Sequence, residues 1–519
     1  MINMALRSRK HAWSASFLIA FCVLFFNTAQ AQTAASPLSK LPTLGDGSDL
    51  SSSAERRLGD RIARELYRDP DYLDDAVLSE YVQGIWQPLL AAARLRGDLS
   101  PELDERFSWE ILLGRDRTVN AFALPGGYFG LHLGLIAVVT SRDELASVLG
   151  HELSHVTQRH ISRLIARQGQ QAPWLIGAMI LGALAASKNA DAGNALIVGG
   201  QAVSAQNQLN FSRDMEREAD RVGYGVMTQA GFEPQGFVAM FDKLQQASRL
   251  NDNGAFPYLR SHPLTTERMA DMQARQLLAP ATTQNASPTA EHAMVAQRAR
   301  VLSNPGVDAL QAIAQEARGA QFSTLSTARQ AAVLYGSALA SSRLREFEQA
   351  RTQLQRLTDL VRADVRAARL ANLLSVEVAL AFGDKAPAAA LLAMPKGTTN
   401  HKPQRPELLL AAQAMSQNPA SLALISQALQ AWVNEHPRDA QAWQLLSDAF
   451  ARQNQPLRSL RASAESQVAM LDYGAALDRF KAAQTVPRSN SPADHIDASI
   501  IDTRRRQVEL LLKEQALDR

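Results

Sequence analysis

The sequence predicts a mainly α-helical protein in two parts, an N-terminal domain whose helices surround a small β-sheet and a C-terminal α-helical repeat domain. Three observations lead there. At 519 residues the chain is longer than one ordinary hydrophobic core organises. Strand-like runs of β-branched and aromatic residues occur in a short stretch, Phe107 to Leu133. Beyond about residue 290 the composition shifts to Ala, Leu, Gln and Arg with helical periodicity almost throughout.

Residues 1–31 read as a secretory signal that is removed. Arg7, Arg9 and Lys10 form a basic start, Ser14 to Phe26 is apolar but too short to span a bilayer, and Ala29-Gln30-Ala31 is a small-x-small cleavage site. Without those three basic residues the formal charge falls from +3 to 0, so nothing in the balance points to nucleic acid. Cys22, the only cysteine, leaves with the signal, and the bulky Phe21 before it argues against lipidation. The mature chain then has no thiolate, and any metal must be held by His, Asp or Glu. An exported location follows as the expectation.

A Ser/Pro/Gly-containing lead at 32–54 precedes amphipathic helices from Glu55 towards Leu95. Phe107 to Leu113, Val119 to Phe122 and Tyr128 to Leu133 read as strands, with Leu124-Pro125-Gly126-Gly127 as a turn. Ser141 followed by Glu144 is a capping box, and Leu145, Val148, Leu149 and Leu153 continue at helical spacing. A second helix spans about Arg213 to Ala230 and stops at Gly231-Phe232-Glu233-Pro234. The first domain is thus expected over 55–277, a linker over 278–293 and the repeat domain over 294–519. Within the last, Pro437 with Ala442, Trp443, Leu446 and Ala449, and Asp472 to Ala476 leading to Phe480, resemble tetratricopeptide repeats. A plain helical bundle is the alternative. Trp174 to Ala186 and Leu196 to Gly200 suggest a helical hairpin at 174–202 that touches a membrane surface or unfolded substrate, or packs in the core.

Chemistry concentrates at His151-Glu152-Leu153-Ser154-His155. On a helix, residues four apart share a face, so both imidazoles reach one ion with Glu152 beside them, the zincin arrangement. Catalytic zinc generally takes three protein ligands and keeps a position for water. His160 lies five residues beyond His155 with no glycine break between, and an unbroken helix points it away from the ion. Glu216 is the better candidate, since Asp220 shares its helix face and can orient a ligating imidazole; Glu218 is close enough to compete.

Asn120 to Gly127, Glu144-Leu145-Ala146, the His-Glu-x-x-His helix, Glu216-x-x-Ala219-Asp220, and His262-Pro263 with Arg268 together resemble the gluzincin metallopeptidases that include HtpX and the CAAX prenyl proteases. The resemblance covers roughly residues 55 to 275. It implies one Zn²⁺ per chain held by His151, His155 and Glu216, with Glu152 as general base for peptide hydrolysis and Asp220 behind a ligand. The CAAX proteases are multi-pass membrane enzymes, whereas this chain is expected to have a cleavable signal, no spanning helix and a C-terminal repeat domain. The domain order is similar to that of periplasmic members acting in outer-membrane β-barrel assembly. It implies unfolded or misassembled outer-membrane proteins as substrates and the β-barrel assembly machinery as a partner of the repeats. His262, ahead of Pro263, is expected on a loop as a latch over the zinc or as an oxyanion donor; a surface histidine is the plain alternative. Asn120 to Phe122 is expected either as an edge strand that pairs with substrate or as an ordinary buried strand. A competing reading of the whole is a repeat-based chaperone or adaptor whose zinc site is structural or latent.

Overall fold

Helix caps and cross-strand register set the frame that holds the His-Glu-x-x-His segment. The structure, a computed structural model, describes residues 50–167, 212–249, 256–278, 289–303, 306–390, 404–414, 419–487 and 492–517. The expected signal at 1–31, the hairpin at 174–202 and most of the 278–293 linker lie outside the described residues.

Helix α1 (Ser52–Arg68) begins where the Ser51 side chain accepts the Ala54 N–H. The two-residue strand β1 (Tyr72–Leu73) leads to α2 (Ala76–Arg96), capped by Asp75 and ended by Gly97 at φ 76°, the left-handed conformation that glycine adopts without a Cβ penalty. A short α3 (Pro101–Arg106) precedes β2 (Glu110–Gly114), β3 (Ala121–Leu124) and β4 (Tyr128–His132). The sheet order is β1-β2-β4-β3: β2 runs parallel to β4 from Glu110↔Tyr128 to Gly114↔His132, and β3 pairs antiparallel to β4 at the sheet edge. Phe122 faces Gly130 across that edge, and a Cβ on Gly130 would lie 2.0 Å from the Phe122 ring, so the aromatic occupies the missing side chain's place. The first strand starts at Glu110 rather than Phe107 because Trp109 sits at φ 54°, outside strand geometry.

After α4 (Leu133–Val138) comes α5 (Arg142–Thr157), which carries His151 and His155. Its cap is half the expected box. Ser141 Oγ accepts the Glu144 N–H at 3.1 Å, but the Glu144 carboxylate turns back to Thr140, accepting its N–H at 2.6 Å and its hydroxyl at 2.9 Å. Every residue from Glu144 to Thr157 is buried, because α5 packs against β3, α2 and two later helices, α7 (Arg213–Gln229) and α8 (Gln235–Arg249). Between these come α6 (His160–Arg167), and after them α9 (Tyr258–Ser261) and α10 (Thr266–Leu278). Helices α5 and α7 approach closely at Gly150 and Gly223: a Cβ on Gly223 would meet the Gly150 backbone and the His151 nitrogen at 2.9 Å. That contact brings the acidic face of α7 to the histidines.

From residue 289 the described chain is helical. Helices α11 (Ala290–Leu302), α12 (Val307–Gln315), α13 (Thr327–Arg343), α14 (Phe347–Val361) and α15 (Val365–Phe382) are followed by a short α16 (Ala386–Ala390). Then come α17 (Arg405–Gln413), α18 (Pro419–Glu435), α19 (Ala440–Arg452), α20 (Pro456–Ala469), α21 (Tyr473–Thr485) and α22 (Pro492–Leu517). From α18 to α22 each helix packs on the next, burying Trp443, Leu446, Ala449, Ala476 and Phe480. Residues 50–519 form one compact unit, and a single apolar cluster runs from Val77 on α2 to Val378 on α15. Arginines stitch the later helices to α2 and the residues just before it: Arg298 to Asp75 at 2.6 Å, Arg369 to Glu80 at 2.6 Å and Arg405 to Asp74 at 2.8 Å. No helix among the described residues is long and apolar enough to cross a membrane.

Candidate active site

Helical spacing puts His151 and His155 on one face of α5, and the glycine contact brings Glu216 of α7 opposite them. The two Nε2 atoms lie 3.0 Å apart. Glu216 stands 3.5 Å from His151 Nε2 through Oε2 and 3.4 Å from His155 Nε2 through Oε1. His262, at the C-terminal end of α9, places Nδ1 3.0 Å from Glu216 Oε1 and 3.4 Å from His151 Nε2. Ligand atoms from these four residues lie within 4.8 Å of one another, and all four residues are buried. Four donors about 2.0–2.1 Å from a tetrahedral zinc are about 3.4 Å apart, so the observed separations fit a zinc-sized ion. The donor set, imidazole and carboxylate without sulfur, suits the same ion.

Electrostatics agree. Burial alone would depress the His151 ring, but the Asp220 and Glu216 carboxylates outweigh it and hold the pKa raised, to about 10. Burial would raise Glu216, yet the His262 and His151 rings hold it well below the usual carboxylate range. The buried carboxylates thus place negative charge beside the imidazole nitrogens, a setting that favours a bound cation.

Glu152 lies beside the cluster, 1% exposed, with Oε1 3.5 Å from His262 Nε2. Burial pushes its carboxyl up, against the pull of the His262 and His151 rings. Asp220 Oδ1 sits 2.9 Å from His151 Nδ1, the expected place behind a ligand. Arg268 grips Asp220 and also reaches Glu216 Oε2 at 2.9 Å and the Pro263 carbonyl at 2.8 Å, which ties the loop carrying His262 to the acidic helix.

His262 is 2% exposed, which removes the surface-loop alternative. Its ring stacks on Tyr258 with centroids 4.6 Å apart, and the Tyr258 N–H donates to the Val119 carbonyl at 3.3 Å, just ahead of β3. The segment from Asn120 meets the edge-strand expectation: β3 is the sheet edge and packs against α5.

His160 corrects an expectation. The helix does break: α5 ends at Thr157, Arg159 takes φ 55°, and α6 starts at His160. The sequence carries no glycine or proline there to signal it. His160 stays outside the ligand cluster, as expected, but it turns inward rather than away, with Nδ1 2.8 Å from His155 Nδ1. Glu218, the rival to Glu216, sits 3.0 Å from His160 Nε2 and pairs with Arg163 at 2.7 Å. Burial lowers the His160 pKa to about 4 and leaves the ring neutral. Sequence periodicity also missed Tyr258, since nothing in its local pattern links it to residues more than a hundred positions earlier.

Comparisons with known proteins converge on the same region. Residues 82–276 match the model of Peptidase family M48. The chain is similar to a putative beta-barrel assembly-enhancing protease of Vibrio cholerae, 34% identical over 61% of this chain and 63% of that protein, so the alignment spans under two thirds of that relative. It is 29% identical to the beta-barrel assembly-enhancing protease of Yersinia pestis over 82% of this chain and 83% of that one. The mitochondrial metalloendopeptidase OMA1 of Saccharomyces cerevisiae is 28% identical over 38% of this chain and 55% of its own length. The family implies a metal, and the four-residue cluster falls inside the matched segment. Residues 82–276 are thus similar to the metallopeptidases of Peptidase family M48, and in this chain they are joined to a long helical region.

Proposed function

We propose that this chain is a periplasmic zinc metalloendopeptidase, with an accompanying chaperone role, that degrades misassembled outer-membrane β-barrel proteins. The observation that carries the catalytic part is the convergence of His151, His155 and Glu216 within ion-binding distance of one another, buried, with Glu152 beside them. The names of the Vibrio and Yersinia relatives supply the substrate class. The helical region, read as tetratricopeptide-like repeats, is the surface proposed to recruit substrates or the β-barrel assembly machinery.

In this reading His151, His155 and Glu216 hold the ion, which when bound polarises the scissile carbonyl and acidifies the attacking water. Glu152 takes the water proton and returns it to the leaving amine. Its burial raises its proton affinity, which suits a group that must both accept and release. The outer edge of β3, unpaired by any strand among the described residues, lines up an extended substrate through main-chain hydrogen bonds. Asp220 and Arg268 keep the His151 ring aimed. His262 lies against Glu216 and His151, and in this reading it acts as a latch that moves before cleavage.

The test is metal content of the purified mature chain beside Glu216→Gln, by elemental analysis after dialysis without chelator. About one zinc per wild-type chain, absent from the variant, supports the reading; wild-type protein that is folded and metal-free after zinc is offered rejects it. The closed position of His262 favours one second reading, a latent peptidase acting chiefly as chaperone or adaptor. Glu152→Gln separates the two: loss of cleavage by about 10²–10⁴-fold with barrel assembly impaired supports the peptidase, and intact barrel assembly supports the adaptor.

A further inference from the structure

The two ligand histidines are backed differently. His151 has a carboxylate directly on its far nitrogen, Asp220 at 2.9 Å. Behind His155 stands instead the ring of His160, Nδ1 to Nδ1 at 2.8 Å, with centroids 4.9 Å apart and planes at 74°. The far side of that ring meets Glu218 Oε2 at 3.0 Å, and the same oxygen accepts from Arg163 at 2.7 Å. His155 and His160 are both 0% exposed, so the contact between the rings is sealed from solvent.

We infer that His160 and Glu218 are positioning residues for the metal centre, forming a carboxylate–imidazole relay that sets the tautomer and ring angle of His155. This rests on the assignment of His155 as a metal ligand through Nε2. One arrangement of protons satisfies these contacts together with ligation through Nε2. A ligating Nε2 needs its lone pair, so the His155 proton sits on Nδ1 and is donated to His160 Nδ1. His160 then carries its own proton on Nε2 and donates it to Glu218, whose oxygen also takes the Arg163 N–H. Every link has a donor and an acceptor, and reversing any one leaves two lone pairs or two protons face to face.

The break at Arg159 is what makes the relay possible. Five residues on, an unbroken helix carries a side chain about 140° round the axis from His155. The left-handed turn at Arg159 resets the direction of α6 and returns His160 to the back of His155. Arg159 is held in that turn from outside the site, by Glu55 of α1 at 2.9 Å. Glu218 lies two residues from Glu216, so one α7 turn serves the front of the cluster and, through His160, its back.

The experiment is a zinc affinity measurement by chelator competition on the full mature chain, with thermal unfolding of the metal-stripped form recorded in parallel. His160→Leu should weaken zinc by about 10–100-fold, the range for lost partners behind a ligating histidine. His160→Asn, whose amide oxygen falls near the former Nδ1 and still accepts from His155, should recover most of that loss. Glu218→Gln, which tests the outer link at a half-exposed position, should weaken zinc by less than His160→Leu. Wild-type affinity in both His160→Leu and Glu218→Gln overturns the relay. Weak binding in His160→Asn equal to that of His160→Leu also overturns it, by showing packing rather than proton direction at work. If the metal-stripped His160→Leu unfolds well below the wild type, the Asn and Gln variants that keep wild-type unfolding decide between these outcomes. Failure of the underlying ligand assignment is distinct: His155→Ala would then hold zinc as tightly as the wild type.

Discussion

Arg268 clasps Asp220 with two nitrogens, Nε to Oδ2 at 2.6 Å and a terminal nitrogen to Oδ1 at 2.8 Å, in an interior where Arg268 is 3% and Asp220 1% exposed. The charge on Asp220, the aim of His151 and the position of the His262 loop all depend on that fork. Arg268→Leu takes the guanidinium away from a buried Asp220 and leaves it against the His151 ring, and should cost about 3–5 kcal/mol of stability. Urea unfolding of the metal-stripped chain reads the stability, and metal analysis should show weakened retention. Arg268→Lys should recover little, because one ammonium cannot make the fork.

Removing the ring that stands over Glu216 should open the site. His262→Ala is expected to raise the cleavage rate on an unfolded protein substrate, with zinc content unchanged. A rate equal to or below that of the wild type would sink the latch, and a fall of about 10²-fold or more would point to the oxyanion role instead.

The glycine pair between α5 and α7 allows packing to be separated from chemistry. A Cβ at position 223 would sit 2.9 Å from backbone atoms of Gly150 and His151, which cannot move aside as a side chain can. Gly223→Ala should therefore push the helices apart, at a cost of about 1–3 kcal/mol, and draw Glu216 away from the histidines. Stability to denaturant and metal content should fall together. Loss of stability with full zinc retention would show that α7 can shift without disturbing its acidic residues.

Arg298 joins the later helices to the start of α2. It is 4% exposed and binds Asp75 through two nitrogens, at 2.8 and 2.6 Å, with Glu377 at 2.8 Å. Arg298→Leu strands Asp75 and should destabilise the chain by about 3–5 kcal/mol. Burial raises the Asp75 carboxyl, but the Arg298 charge outweighs it and leaves the pKa lowered. A lowered carboxyl contributes stability that is complete above the unfolded value of about 3.9 and is lost as pH falls through the folded value. Acid titration of stability should show this loss in the wild type and less of it in Arg298→Leu.

Local signals made much of the site legible. The four-residue spacing of His151 and His155 needs only helical geometry, and Ser141 marks where that helix starts. The sharing of a face by Glu216 and Asp220 follows from the same period, as does the burial of Trp443 and Phe480 in the C-terminal helices.

What the sequence by itself determined is therefore whatever short-range periodicity and side-chain chemistry dictate: the strands and turn around Pro125, and the helix that puts His151 and His155 on one face. Tertiary structure decided the rest. It set Glu216 against His151 and His155 and Glu218 against His160, brought His262 into contact with His151 and Glu216, and placed Arg268 between Asp220 and Glu216. It also turned His160 inward through a left-handed Arg159 held by Glu55, a contact across 104 positions. Such placements depend on how separate helices approach one another. Backbone contacts such as Gly150 to Gly223, and buried charges seeking partners, settle that approach, and no local period encodes either.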